Sequence, residues 1–271
     1  MQVLELRRIK ALWGMQGSYE ELLSHAAEAG YFGIETPLPP AAEEKSFKAA
    51  LETNKLAFIA QVSTHDDHLV SFEKQVMRAT EFNPLFINSQ SARDSMSEAE
   101  QDRFFEGALA IEQKSGQQIG HETHRSRAMF TPWTTARLLK RFPDLRITAD
   151  FSHWVNVCES HLDNHVDELA LAIDRSIHVH GRVGFPQGPQ VPHPGAPEYS
   201  AELALFTGWW QRIFMKQAEN ERAWTTFTAE FGPPNYMPTV PFTNKPIVDL
   251  IEVNQWMTDY IAAKYKDWFN Q

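Results

Sequence analysis

The chain alternates short apolar segments with helix-like segments eight times, and no other feature constrains its fold as much. The apolar segments contain mostly Ile, Val, Phe, Thr and Ala, and each is followed by residues whose apolar positions recur at helical spacing. The pattern therefore predicts strands joined by helices, and strands connected in this way pair in parallel. The predicted strands cover 11–14, 32–35, 57–62, 85–88, 118–124, 146–150, 176–180 and 225–230.

Eight strand–helix units in 271 residues match the (β/α)8 barrel, whose typical length is about 250 residues. We predict the α/β class and a single (β/α)8 TIM barrel, with one domain over residues 1–271. An open, doubly wound sheet is the alternative. No Gly-x-Gly-x-x-Gly turn follows a predicted strand, which argues against the dinucleotide-binding version of that sheet.

Charge and cysteine content narrow the class of partner. The formal net charge of -10 argues against a nucleic-acid partner, because no Lys/Arg cluster overrides the acidic average. The single cysteine, Cys158, excludes a disulfide within the chain and suits a reducing compartment. Scattered charges in 1–10 argue against a secretory signal, and no apolar run is long enough to span a bilayer. We therefore expect a cytoplasmic protein with no membrane partner.

Four consecutive predicted strands end in residues that could bind a metal ion. These are Glu122, Asp150, His180 and Glu230, on the fifth to the eighth strand. Strand side chains alternate between two faces, which places each of these residues on the polar face of its strand. In TIM barrels the active site lies at the C-terminal ends of the strands. We therefore expect the four side chains to converge at the mouth of the barrel.

Three converging carboxylates require a counter-ion. Without one they would repel each other, and at least one would take up a proton. Three carboxylates and one imidazole suit a borderline-to-hard ion with open positions for substrate oxygens. The expected cofactor is one divalent metal ion, which could be Mn, Mg, Co or Zn.

Four motifs resemble those of the xylose isomerase-like TIM barrels. They are His-Glu-Thr-His at 121–124, Asp-x-x-His at 150–153, Ile-His-Val-His at 177–180, and Ala-Glu at 229–230, and their order and spacing match over essentially the whole chain. The Asp-x-x-His and His-x-His elements are the most specific. This superfamily contains sugar phosphate isomerases and epimerases, ketose 3-epimerases and hydroxypyruvate isomerases.

The resemblance implies roles for individual residues. Glu122, Asp150, His180 and Glu230 correspond to four ligands of one divalent ion. His153 corresponds to a histidine that contacts substrate. Arg182 is the nearest candidate for a substrate-binding arginine after the seventh strand, although it follows the histidine pair sooner than in the epimerases. The Gly/Pro-rich loop 184–197, with Gln190 and His193, also departs from the family pattern.

Other polar residues near strand ends have more than one possible role. His124 is a candidate for substrate binding or for the barrel rim, and His178 for substrate binding, for support of a ligand, or for a satisfied core position. The residues that end the first four strands are expected to line the pocket as packing or rim residues: Trp13, Glu35, Gln61 and Asn88. Residues 65–68 are interpreted as a solvated turn that caps the next helix. Trp209, Trp210 and Phe214 are expected in the core or at an oligomer contact.

The combined interpretation is a divalent-metal-dependent isomerase or epimerase of a small sugar or sugar-like polyhydroxy carbonyl compound. One of Glu122 and Glu230 would remove a proton to form an enediolate, and the other would return it. The expected partner is a small carbohydrate-like molecule, and a homo-oligomer remains open. The alternatives are a metal-dependent lyase of the inosose or dehydroshikimate type, an endonuclease IV-like phosphodiesterase, and a non-catalytic binding protein. The acidic charge disfavours the phosphodiesterase, and the complete ligand set disfavours the binding protein.

Overall fold

The computed structural model describes residues 4–269 and forms a closed barrel of eight parallel strands. The strands follow one another around the barrel in chain order, and the eighth pairs with the first. Their bounds are Glu5–Ala11 (β1), Gly33–Pro37 (β2), Ala57–Ser63 (β3), Phe86–Gln90 (β4), Ile119–Glu122 (β5), Arg146–Ala149 (β6), Ser176–His180 (β7) and Trp224–Ala229 (β8). The predicted (β/α)8 TIM barrel is therefore confirmed.

Helices surround the barrel, and the first begins at a capping box formed by Ser18 and Glu21. Their bounds are Tyr19–Glu28 (α1), Glu44–Asn54 (α2), His68–Thr80 (α3), Glu98–Ser115 (α4), Pro132–Arg141 (α5), Ser152–Val157 (α6), Val166–Arg175 (α7), Ser200–Glu219 (α8) and Leu250–Phe269 (α9). Within residues 4–269, no helix is both long enough and apolar enough to cross a membrane.

The prediction of the first strand at 11–14 is wrong, because β1 occupies Glu5–Ala11. The charged residues of β1 interrupt its apolar positions, so a search for apolar runs did not detect this strand. Arg7 illustrates how such a residue fits a barrel strand: its guanidinium lies 4.2 Å from the ring centroid of Phe32 and 4.8 Å from that of Trp224. The long side chain covers aromatic surface at the N-terminal end of the barrel while its charge stays near water.

Two small elements were not predicted. Helix α6 begins at Ser152, where a loop was expected, and it turns His153 back toward the end of β6. A short antiparallel hairpin follows β8 and consists of Thr239–Val240 (β9) and Lys245–Pro246 (β10).

The apolar faces of the strands pack against the helices, as the alternation predicted. Val179, Ile147 and Phe227 are completely buried. The Phe227 ring contacts Trp210 of α8 edge to face, with 5.3 Å between centroids. Trp209 is buried as well, so this aromatic face of α8 belongs to the core.

Gly181 follows β7 directly and packs so closely that a Cβ atom there would lie 1.8 Å from Cζ of Phe227. We expect Gly181→Ala to reduce the free energy of unfolding by about 1–3 kcal/mol through overpacking. Gly208→Ala is the control, since a Cβ there meets no atom of another segment within 4 Å. In the middle of α8 it should stabilise the protein by about 0.5–1 kcal/mol. Urea denaturation of both variants checks this, and equal stability of Gly181→Ala and the parent chain would contradict the packing.

Candidate active site

The four strand-end residues come together at the C-terminal mouth of the barrel. Glu122 and His180 are the last residues of β5 and β7, while Asp150 and Glu230 follow β6 and β8 directly. All four are buried, and each offers one potential ligand atom within 4.8 Å of those of the other three. The parallel register produces this convergence, because each strand delivers its terminal residue to the same end of the barrel.

A cavity of about 460 Å³ opens at this end of the barrel. Glu122 and Glu230 both line it, with Trp13, Gln61, His124, Arg182 and Tyr236 among the other lining residues. Carboxylates in the wall of a cavity this size are accessible to a small molecule.

Glu35 fixes the orientation of His180. The Nε2 atom of His180 lies 2.9 Å from Oε1 of Glu35, so Nε2–H donates to this carboxylate. The other ring nitrogen, Nδ1, lies 3.0 Å from Oε2 of Glu230 and 3.5 Å from Oε1 of Glu122. A carboxylate that holds the far nitrogen of a histidine in this way sets the tautomer in which the near nitrogen can bind a metal.

The same Glu35 carboxylate connects several strands. It accepts hydrogen bonds from Oγ1 of Thr228 at 2.6 Å, from Nδ2 of Asn88 at 3.1 Å, and from Nε2 of His178 at 3.1 Å. Glu35 and Asn88 therefore form a buried network under the cavity, whereas Trp13 and Gln61 line its wall as expected.

Burial and the neighbouring charges shift the pKa values of the site residues in different directions. Burial favours the neutral imidazole, but Glu230, Glu35 and Glu122 raise the pKa of His180 well above its usual value. Burial, together with repulsion from Glu122, raises the pKa of Glu230 despite the attraction of His180. For Glu122 burial acts in the same direction, but nearby histidines and Arg182 lower its pKa to about 2.

The donor set fits a divalent cation. Oε1 of Glu122 and Nδ1 of His180 are buried without a hydrogen-bond partner, and they lie 3.5 Å apart. Buried polar atoms are normally paired, so two such atoms without a hydrogen-bond partner beside Glu230 point to a bound group that the protein itself does not supply. Carboxylate oxygens with one imidazole nitrogen suit Mn²⁺, Mg²⁺, Co²⁺ or Zn²⁺.

Arg182 brings a fixed positive charge to this cluster. It is buried, its Nη2 pairs with Oδ2 of Asp150, and its Nε donates to Oγ of Ser152 at 3.0 Å. Nη1 donates to the backbone oxygen of Glu230 at 3.2 Å, and Nη2 also lies 2.8 Å from Nε2 of His153. Arg182 therefore holds Asp150 in place, and a metal ion at this site would share Asp150 with the guanidinium.

His153 and His124 lie side by side, with 3.9 Å between their ring centroids. Burial lowers the pKa of His153 well below its usual value, and the charge of Arg182 contributes, so the imidazole is neutral. Its Nε2 lies 3.6 Å from Oδ2 of Asp150. His124 lines the cavity, whereas His153 is completely buried. The substrate contacts expected for both residues remain predictions.

His178 lies deeper in the barrel. Its Nδ1 is 2.7 Å from Oγ1 of Thr226, its Nε2 contacts Glu35, and the side chain is completely buried. This position is compatible with support of a ligand through Glu35 and equally with a satisfied core histidine, and a substrate contact stays a prediction.

Several expectations outside the carboxylate cluster can be placed. Residues 65–68 form the expected turn, and Asp67 caps α3 by accepting a hydrogen bond from the backbone N–H of Val70 at 3.2 Å. In the loop 184–197, Gln190 is buried and hydrogen-bonds both backbone groups of Gly232. Sequence reasoning missed Tyr236, whose ring lies 4.8 Å from the Arg182 guanidinium, because no motif marks the segment after β8.

Comparison with solved structures finds several barrels of similar architecture. The probable 3-DHS dehydratase AsbF of Bacillus anthracis superposes with a TM-score of 0.61 and 14% identity, over 94% of this chain and 98% of that one. A D-tagatose 3-epimerase-like protein gives 0.61 and 13%, over 97% and 98%. The family 2 AP endonuclease of Brucella melitensis gives 0.59 and 14%, over 95% and 99%. No protein-family model and no curated protein sequence matches the chain.

At these identities the comparison establishes the fold. The (β/α)8 barrel that the sequence resemblance implied is therefore confirmed. The chain shares its barrel with proteins named for three different reactions, so the fold alone does not select among them.

The contact between Glu35 and His180 leads to a prediction about metal affinity. Glu35→Gln keeps the size of the side chain, but its amide can favour the tautomer of His180 that carries a proton on Nδ1. We expect calorimetric titration with Mn²⁺ to show an affinity about 10–100-fold lower, as for other residues that orient a metal ligand. Thr226→Val is the control, because Thr226 contacts His178 and leaves His180 untouched. An unchanged affinity in Glu35→Gln would refute the proposed role of Glu35.

Proposed function

We propose that this protein is a divalent-metal-dependent isomerase or epimerase of a small polyhydroxy carbonyl compound. The observation that carries the proposal is the convergence of Glu122, Asp150, His180 and Glu230 within 4.8 Å at the ends of four consecutive strands. The cavity beside them is large enough for a small sugar. Two of the four residues, Glu122 and Glu230, line it.

When bound, the metal ion would supply a Lewis acid that polarises the substrate carbonyl and acidifies the neighbouring C–H. Glu122 and Glu230 would then exchange the proton. One carboxylate removes it to give an enediolate, and the other returns a proton to the opposite face or to the adjacent carbon. Positioned acid–base groups of this kind contribute about 10²–10⁴-fold each.

Arg182 and His124 would hold substrate oxygens. An arginine side chain has five N–H donors, and in Arg182 four of them are directed to protein atoms: one from Nε, one from Nη1 and two from Nη2. The remaining Nη1–H can serve the cavity that Arg182 lines. Trp13 and Tyr236 form apolar walls and would exclude water from the reactive intermediate.

A substrate panel in D₂O tests the proposal against its alternatives. Ketoses, aldoses, inososes and dehydroshikimate are each incubated with the protein and Mn²⁺, Mg²⁺ or Co²⁺, and the products are followed by NMR. Deuterium uptake at the carbon next to the carbonyl supports an isomerase or epimerase. Loss of water identifies the lyase, and cleavage of an abasic-site duplex identifies the phosphodiesterase. No reaction with any compound would favour a binding protein.

Glu230 and His153 have different roles in this mechanism. Their variants should therefore differ in metal binding and in turnover. Glu230→Gln should weaken metal binding and abolish deuterium exchange together, because Glu230 is both a ligand and an acid–base group. His153→Ala should lower turnover more than metal affinity, and the loss of affinity should stay within about 10–100-fold. Metal calorimetry alongside exchange rates separates the two cases. Full exchange activity in Glu230→Gln would rule out the two-glutamate mechanism, and complete loss of metal in His153→Ala would make His153 a direct ligand.

A further inference from the structure

Arg127 lies beside the rim of the active-site cavity and makes no direct ion pair in the described part of the chain. Its guanidinium is half-buried, with Nη1 donating to the backbone oxygen of Thr64 at 2.9 Å and Nη2 donating to Oγ of Ser63 at 2.6 Å. Among residues 4–269, no carboxylate oxygen lies within 4.0 Å of its nitrogens. These bonds fix the position of the guanidinium without neutralising it.

A second cation lies close by. Burial lowers the pKa of Arg127 and the positive charge of Arg93 lowers it further, whereas the carboxylates of Glu122 and Asp94, which lie beyond direct contact, raise it without reversing the shift. Arg93 is exposed and also has no carboxylate partner within 4.0 Å in the described part of the chain. Two neighbouring cations with no carboxylate within 4.0 Å form a favourable environment for an anionic group.

The loop that carries Arg93 is held in an unfavourable backbone conformation. The preceding residue, Ala92, has a φ of 57°, a left-handed value that costs free energy for a residue with a Cβ atom. Its backbone N–H donates to Oγ1 of Thr64 at 2.8 Å, which ties the loop to the residue whose carbonyl oxygen binds Arg127. Strain of this kind persists where the surrounding structure enforces it, and it is common at ligand sites.

The arginine pair adjoins the cavity of the proposed reaction. Ser63, which accepts the hydrogen bond from Arg127, lines that cavity together with Gln90 and the two glutamates at its inner end. The two arginines that line the cavity itself have partners: Arg78 pairs with Glu44 at 2.6 Å, and Arg182 pairs with Asp150. Arg127 lies behind the wall and reaches it through Ser63.

We infer that the substrate carries a carboxylate or phosphate group, which Arg127 and Arg93 bind while its carbonyl end faces Glu122 and Glu230. This inference rests on the proposed function for the reacting end of the molecule, but the anion site can be tested by itself. It narrows the substrate class to sugar acids or sugar phosphates. A neutral sugar would leave the arginine pair without a counter-ion.

A matched arginine pair at the opposite end of the barrel provides the control. Arg222 precedes β8, is half-buried, and donates to the backbone oxygen of Ile177 at 3.3 Å. Burial and the charge of Arg146 lower its pKa. Its guanidinium lies 5.3 Å from the ring centroid of Trp224, far from the active-site end, so it stabilises the fold and has no expected role in binding the substrate.

The test is calorimetric titration, without added metal, of inorganic phosphate, D-gluconate, ribulose and ribulose 5-phosphate. The parent chain should bind at least one anionic compound more tightly than ribulose. Tighter binding of D-gluconate identifies a carboxylate as the preferred group, and tighter binding of inorganic phosphate or ribulose 5-phosphate identifies a phosphate. Arg127→Gln should weaken that binding about tenfold or more. Arg127→Lys keeps the charge and should retain most of it, while Arg222→Gln should have no effect. Mn²⁺ affinity should stay within about twofold in every variant.

The outcomes separate this inference from the proposed function. No preference for anions in the parent chain, or equal anion binding by Arg127→Gln and the parent chain, overturns the anion site whatever the metal titration gives. Loss of anion binding in Arg127→Gln with rescue by Arg127→Lys supports it, because a folding defect would affect both variants. If anions bind in this way but no metal binds, the anion site stands and the metal-dependent reaction fails.

Discussion

Electrostatic repulsion among buried carboxylates is the constraint on which the rest of this site depends. Glu35, Glu122, Asp150 and Glu230 are all almost completely buried within one end of the barrel. Buried carboxylates without compensation would take up protons or destabilise the fold. The negative charge of each carboxylate is compensated differently. Histidines and a hydroxyl group stabilise Glu35, and Arg182 stabilises Asp150. The charges of Glu122 and Glu230, which line the cavity, are compensated only in part. The remaining negative charge is concentrated where a substrate can reach it.

Arg182 makes the site different from a simple four-ligand centre. Because its guanidinium is fully buried and pairs with Asp150, one carboxylate is already neutralised before any ion binds. The negative charge left for an ion is therefore smaller than the sequence motifs imply, and it is provided chiefly by Glu122 and Glu230. A reduced local charge favours reversible binding and makes the affinity depend on the exact placement of His180.

The sequence was sufficient to predict the barrel and the convergence of its strand ends. Strand alternation and the order of β5 to β8 determine where Glu122 and His180 lie, since in a parallel barrel the last residue of each strand can point only to one mouth. Other features depend on contacts between distant segments. The partner of Arg182, the depth of His178 and the contact between Tyr236 and the cavity follow from loop geometry, which has no periodic signal. Strand β1 was misplaced because its charged residues find their partners elsewhere in the sequence, as Arg7 does with the rings of Phe32 and Trp224.

The hydrogen bonds of Glu35 also affect how the chain can be synthesised and folded. Glu35 lies early in the chain, but Thr228, whose hydroxyl donates to it, follows 193 residues later. His178 and His180 also leave the ribosome late. A nascent chain that has not yet formed β7 and β8 cannot enclose Glu35 without leaving a charge unpaired. The early strands must therefore stay hydrated around this residue until the last third of the chain arrives, which couples closure of the barrel to completion of the site.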